Sequence, residues 1–227
     1  MKYSHPLMRL TLLILSATAA WATAAEVDLS RLSALKLHNV KADLVNYRGR
    51  QALEVSGADA LTGSQRPGHL VIVADDFSNG TIEVTLAGQP AKDAGSAARG
   101  FVGVAFRVQA DLETYDAFYL RPTNGRADDQ LRRNHAVQYI SHPEHTWNKL
   151  RQATPGKYET YVDLVPGEWT RVHIEVDGDR ARLFVHDATQ PTLIVNGLLS
   201  GKERGAVALW IEGSTLAHFT NLSITAH

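Results

Sequence analysis

The chain of 227 residues has no cysteine at all. That absence excludes disulfides, thiolate zinc sites, cysteine nucleophiles and a lipid-anchored amino-terminal cysteine. Cohesion has to come from packing, because no cross-link contributes. Aromatic residues are sparse at 7%, and the formal net charge is only −1. A balance so close to neutral gives no general attraction to nucleic acid or to an anionic membrane surface, so neither is expected as a partner. Beyond the first 25 residues no apolar run approaches the length of a membrane span. There is also no GxSxG, HExxH, phosphate-binding P-loop or dinucleotide fingerprint, which argues against lipase, zinc peptidase and nucleotide chemistry.

What is present begins with an address. Lys2 and Arg9 precede the apolar stretch Leu10-Thr11-Leu12-Leu13-Ile14-Leu15, and small residues follow up to Ala22-Thr23-Ala24-Ala25. This order matches a secretory signal over 1–25, with a periplasmic or secreted product. Residues 26–227 are then expected to form one domain.

That stretch is dominated by short runs rich in Val, Ile, Phe and Tyr, punctuated by Gly, Pro, Asn and Asp. Strands are predicted near 52–56, 69–74, 80–87, 100–109, 115–121, 136–142, 157–164, 168–177, 180–187, 192–196, 205–212 and 215–225. A short helix is predicted near 30–36. The turn Asp177-Gly178-Asp179 joins two strictly alternating runs and is the clearest hairpin. Many strands at regular spacing with little helix predict an all-β, antiparallel two-sheet jelly-roll sandwich.

Four strands share an unusual pattern. One face is bulky and apolar, as in Val102/Val104/Phe106/Val108. The other pairs small residues with an aromatic or hydrogen-bonding group: Phe101/Gly103/Ala105/Arg107, Ala117/Tyr119/Arg121, Ala136/Gln138/Ile140/His142 and Ala206/Ala208/Trp210/Glu212. Strands 80–87 and 168–177 instead carry Glu83/Thr85 and Arg171/His173/Glu175, as a solvent face does. Small residues in mid-strand lower the floor of a sheet. The expectation is a trough in which Trp210 and Tyr119 stack on a sugar face, while Arg107, Arg121 and Gln138 bond its hydroxyls. Trp147 and Arg151 belong to the same set of candidate binding residues. Glu212 and His142 are the candidate acid–base groups should the site be catalytic.

Residues 122–135 carry no periodicity and are expected to be a functional or mobile loop. Residues 121–151 hold Arg121, Arg126, Arg132, Arg133, Lys149 and Arg151 against Asp128, Asp129 and Glu144, a cationic block suited to an anionic or polyhydroxylated ligand. In His142-Pro143-Glu144-His145 the proline breaks any helix that would align the two histidines on a metal. No metal site is expected, and Asp75-Asp76 with Asn79 offers too few oxygens to make Ca2+ more than a weak candidate.

The blocks Gly100-Phe101-Val102-Gly103-Val104-Ala105-Phe106-Arg107, Tyr119-Leu120-Arg121-Pro122, Gln138-Tyr139-Ile140-Ser141-His142-Pro143 and Gly205-Ala206-Val207-Ala208-Leu209-Trp210 resemble secreted bacterial proteins of the concanavalin A-like lectin/glucanase superfamily. They are close in style to the 3-keto-disaccharide hydrolase domain proteins. The resemblance implies a jelly roll with a concave carbohydrate-type face. Family 16 glucanases of that superfamily carry Glu-x-Asp-x-x-Glu, whereas Glu175-Val176-Asp177-Gly178-Asp179-Arg180 lacks the third acid. Three functions follow as expectations. The first is carbohydrate binding. The second is a hydrolase or lyase acting on the same face. The third is an adhesion or structural module, in which the chain's own loop fills the trough.

Overall fold

The computed structural model describes residue 1, residues 24–58 and residues 68–227. Most of the signal segment, residues 2–23, lies outside them. Among the described residues no helix is long and apolar enough to cross a membrane.

The strands in chain order are β1 (Ala25–Val27), β2 (Lys36–His38), β3 (Val40–Tyr47), β4 (Arg50–Gly57), β5 (His69–Phe77), β6 (Gly80–Pro90), β7 (Val102–Val108), β8 (Tyr115–Leu120) and β9 (Val137–His142). They continue with β10 (Glu159–Thr160), β11 (Thr170–Asp177), β12 (Arg180–Val185), β13 (Leu193–Asn196), β14 (Gly205–Ile211) and β15 (Thr215–Ala226). Three short helices, α1 (Pro122–Gly125), α2 (Gln130–Arg133) and α3 (Trp147–Ala153), sit in the connections.

Two antiparallel sheets result. One has the order β13-β12-β11-β6-β15-β4-β3, with β1 paired to β15; the other has the order β10-β9-β8-β7-β14-β5-β2. The fold is therefore the all-β, two-sheet sandwich expected from alternation. In the first sheet the alternation is one of core and solvent. Ile82, Val84, Val172, Ile174 and Val176 are buried, whereas Glu83, Arg171 and Glu175 are exposed. His173 lies between Glu83 (3.0 Å) and Glu175 (3.3 Å) on that solvent face.

The second sheet is different, and it positions the site. Every residue of β7, β8 and β9 is buried, on both faces. Val102, Val104, Phe106, Phe118, Leu120, Val137, Tyr139, Leu209 and Ile211 pack into the sandwich core. Segments outside the strands cover much of the opposite face.

Several sequence expectations need correction. The helix predicted near 30–36 is a single 3-10 turn, Leu32–Ala34, followed by β2. The strand predicted over 157–164 contracts to Glu159–Thr160. The supposed loop 122–135 contains α1 and α2, each too short to show a helical period. Strand β3 was not anticipated: it pairs only with β4 at the sheet edge and buries only Val40 fully, so it lacks the alternation that marks a half-buried strand.

Candidate functional site

Strand register gathers the outer-facing groups of the second sheet into rows. Trp210, Gly103, Tyr119, Gln138 and Glu159 are successive partners across β14, β7, β8, β9 and β10. The next row is Ala208, Ala105, Ala117 and Ile140. The floor is low, as small side chains require. The space above it, however, is filled by the protein itself. The rings of Tyr119 and Trp210 stack across Gly103 with centroids 4.7 Å apart. A Cβ on Gly103 would lie 2.1 Å from the Phe118 carbonyl oxygen and 2.6 Å from Tyr119 Cα, so only glycine fits there. Trp210 Nε1 donates to Tyr115 Oη at 3.1 Å, a bond that reaches over the alanine row. Burial pushes the Tyr115 phenol up to about 12.

Tyr119 and Trp210 are thus 1% and 7% exposed, and the open central trough expected from alternation is not there. The physical reason is that small residues create room without specifying its occupant. Here aromatic side chains of the same sheet occupy it.

The open space lies at one end of this sheet. Phe101, Arg121 and Glu212 flank the strand ends there, and a cleft of about 690 Å3 is lined by them together with Arg99, Asn124, Asp129, Leu131, Arg132, His135, Trp147, Arg151 and Ser214. The walls come from the 91–99 connection, α1, α2 and α3. Arg121 is the floor's charged group and is 3% exposed. It donates to the His135 carbonyl (2.8 Å), Tyr119 Oη (2.8 Å) and Gln138 Oε1 (3.1 Å). Its guanidinium sits 5.0–5.7 Å from the ring centres of Tyr119, Phe101 and Trp147. Burial holds its pKa below the usual arginine value, but an arginine remains charged throughout the working pH range. Gln138 in turn donates to the carbonyls of Tyr139 and Tyr158, which fixes its amide oxygen toward Arg121.

Arg151 stacks 4.8 Å over Trp147 and grips Glu159 through Nε (3.1 Å) and Nη2 (2.7 Å). His135 Nδ1 is 2.8 Å from the same carboxylate, within ion-pair reach but off the line of a hydrogen bond. Burial lowers the His135 pKa, and the Glu159 charge partly offsets this. Glu212 accepts from the backbone amide of Ser214 (3.0 Å) and from its hydroxyl, while Asp129 caps α2 by accepting from Arg132 N (2.7 Å).

Of the sequence-predicted residues, the structure brings together Arg121, Trp147, Arg151 and Glu212 around the cleft. Tyr119, Gln138 and Trp210 form the layer beneath and beside it. Arg107 and His142 do not join them. Between Ala206 and Ala208 the register of β14 on β7 slips by one residue, and Arg107 takes a left-handed φ of 53°. This bulge breaks the alternation. The Arg107 guanidinium is turned onto the carbonyls of Ser78 (2.8 Å), Gly178 (2.8 Å) and Lys202 (3.0 Å), where it ties three turns together.

His142 pairs with Tyr115 at the far end of β8, and Leu120 pairs with Val137 at the near end. Five residues of strand put His142 about 17 Å along the sheet from the Glu212 end. The expected Glu212–His142 acid–base pair therefore does not converge. Sequence reasoning placed Phe101 on the trough face but missed Arg99 at the cleft wall and Glu159 as the partner of Arg151. Glu159 was hidden because nothing in the sequence shows that a two-residue strand docks it beside Gln138. The oxygens weighed for Ca2+ are partnered by protein donors: Asp75 by Lys36 (2.7 Å), Asp76 by Arg204, and Asn79 Oδ1 by Arg107 (3.1 Å) and Gly178 N (2.9 Å).

His142 carries a stability prediction instead. It is buried against the Tyr115 ring, and burial, followed by the charge of Lys149, lowers its pKa to about 4. The unfolded imidazole titrates near 6.5, so the unfolded state binds the proton first and stability falls as pH drops from 6.5 toward 4. About 2 kcal/mol of this loss should be present at pH 5. Urea midpoints at pH 7 and pH 5 should shift more in the wild type than in His142→Gln; equal shifts would remove His142 from the acid response.

No family model matches the chain, and no curated protein matches it. Solved structures do share its architecture. The carbohydrate binding module CBM66 from Bacillus subtilis superposes with a TM-score of 0.51 at 11% identity, covering 83% of this chain and 97% of that one. A candidate glycosyl hydrolase from Parabacteroides distasonis gives 0.50 at 13% identity, over 86% and 89% of the two chains. A protein of unknown function with a galectin-like fold, also from Bacillus subtilis, gives 0.49 at 10% identity, over 89% and 98%. At such identities the likeness is one of fold: the chain shares the two-sheet antiparallel β-sandwich of these structures.

Proposed function

We propose that this protein is an exported carbohydrate-binding sandwich that takes its saccharide in the cleft at the Glu212 end of the second sheet. The observation that carries this reading is the grouping of aromatic surface with immobilised donors in one concavity. Trp147 and Phe101 flank Arg121, whose guanidinium is fixed by three acceptors. An aromatic face covers the C–H side of a pyranose, and held N–H groups bond its hydroxyls. The fold shared with a carbohydrate binding module supports the class by analogy of architecture.

A hydrolase or lyase reading is weaker on this geometry. Both carboxylates lining the cleft are engaged in capping turns, and His142 is at the opposite end of the strands. An adhesion module predicts a trough filled by a loop, whereas rings of the sheet itself fill the centre and an arginine-lined cleft stays open at its end.

The test is retention on a panel of immobilised polysaccharides, wild type against Trp147→Ala. Trp147 is half-buried on the first turn of α3, so the variant should still melt cooperatively. Retention should fall about tenfold or more, as expected for an aromatic anchor. Unchanged retention of the variant would remove the cleft as the saccharide site.

A further inference from the structure

Three of the four arginines lining the cleft have no carboxylate partner among the described residues. Arg151 is neutralised by Glu159. Arg99 donates to the carbonyls of Ser96 (2.8 Å) and Ala98 (3.0 Å). Arg132 donates to Asn124 Oδ1 (3.0 Å) and to the Thr123 carbonyl (3.1 Å) and hydroxyl (3.2 Å). Arg121 has only the neutral acceptors already described. By contrast, the exposed Arg48, Arg126, Arg171, Arg180 and Arg204 each hold a carboxylate.

Among the described residues, arginines without a carboxylate occur singly elsewhere, as at Arg50, Arg133 and Arg182, but the cleft gathers three of them in one concavity. Arg99 and Arg132 also act on each other: after burial, the charge of Arg132 is what depresses the Arg99 pKa. Withdrawing like charges from water without a counter-charge is unfavourable, and a bound anion relieves it. Neither lining carboxylate forms an ion pair with these arginines among the described residues: Asp129 faces the α2 amide it caps and Glu212 faces Ser214.

We infer that the cleft selects an acidic saccharide, one bearing a ring carboxylate or a sulfate ester, with the anionic group held between Arg99 and Arg132 over Arg121. This rests on the saccharide reading above and names its ligand class. A guanidinium fork matches the two oxygens of either anion, and such charge-assisted bonds are stronger than bonds to hydroxyls. Phe101 and Trp147 remain available to the sugar ring beside it. The overall charge of −1 gives no hint of this, because the cationic surface is local.

Calorimetry with trigalacturonate, its full methyl ester, and a sulfated and an unsulfated galactan oligosaccharide tests the inference. At low salt the free acid or the sulfated oligosaccharide should bind about tenfold or more tightly than its neutral counterpart, with the difference shrinking at high salt. The arm that shows the preference tells carboxylate from sulfate. The Arg99→Gln/Arg132→Gln double variant should lose the preference, while Arg126→Gln, whose side chain is on Asp163, should keep it. Equal binding of charged and neutral saccharides overturns the acidic class and leaves the saccharide site standing. Binding of inorganic sulfate with no oligosaccharide bound overturns both.

Discussion

Replacing Trp210 by alanine is expected to cost about 3–5 kcal/mol of folding stability, the range for truncating a large buried aromatic. The indole is 7% exposed, stacks on Tyr119 at 4.7 Å and donates to Tyr115. Its removal opens a void over Gly103 and leaves the buried Tyr115 hydroxyl with one donor fewer. A domain typically has only about 5–15 kcal/mol to lose, so the variant should denature at a markedly lower urea concentration. Trp210→Phe preserves the ring stack and gives up the Nε1–H bond, so it should fall between the two. An alanine variant that melts with the wild type yet binds no saccharide would restore Trp210 as an exposed stacking surface.

The second large effect concerns Glu159. Its side chain is 4% exposed and meets Arg151 in a forked contact, with His135 2.8 Å away on the same oxygen. Glu159→Gln keeps the shape and removes the charge, so Arg151 and His135 lose their common partner. Breaking a buried pair from one side costs about 3–5 kcal/mol; with the Arg151 side chain 31% exposed, about 3 kcal/mol is expected. Glu144→Gln is the comparison. Glu144 and Lys149 are 3.7 Å apart and both well exposed, so that change should stay within about 0.5 kcal/mol. Equal denaturation midpoints for the two variants would show that the Glu159 pairings carry no net stability.

Alternation in the sequence sufficed for the sandwich, for the solvent face of Glu83, Arg171 and Glu175, and for the core-facing residues of β7, β8, β9 and β14. It failed at the second face of those strands because both faces are buried, and a period-two pattern does not distinguish room for a ligand from room for a neighbouring ring. It failed at Arg107 because a bulge adds one residue that no local signal announces. It failed at His142 because which end of a strand meets which depends on register across four strands, β9, β8, β7 and β14. The cationic block over 121–151 was legible as composition. That Arg121, Arg132 and Arg151 converge, that Arg126 turns away onto Asp163, and that Arg99 joins from a distant connection required the fold.

The stacked layer of Tyr115, Tyr119 and Trp210 also separates two kinds of inheritance within the molecule. Everything below it is locked by strand pairing. Much of the cleft rim belongs to three connections, 91–99, 122–135 and 147–151, beside Phe101, Glu212 and Ser214. Descendants of this chain can therefore exchange rim sequences and acquire new ligands while the foundation stays constant, and grafting those connections between homologues is a direct route to altered specificity.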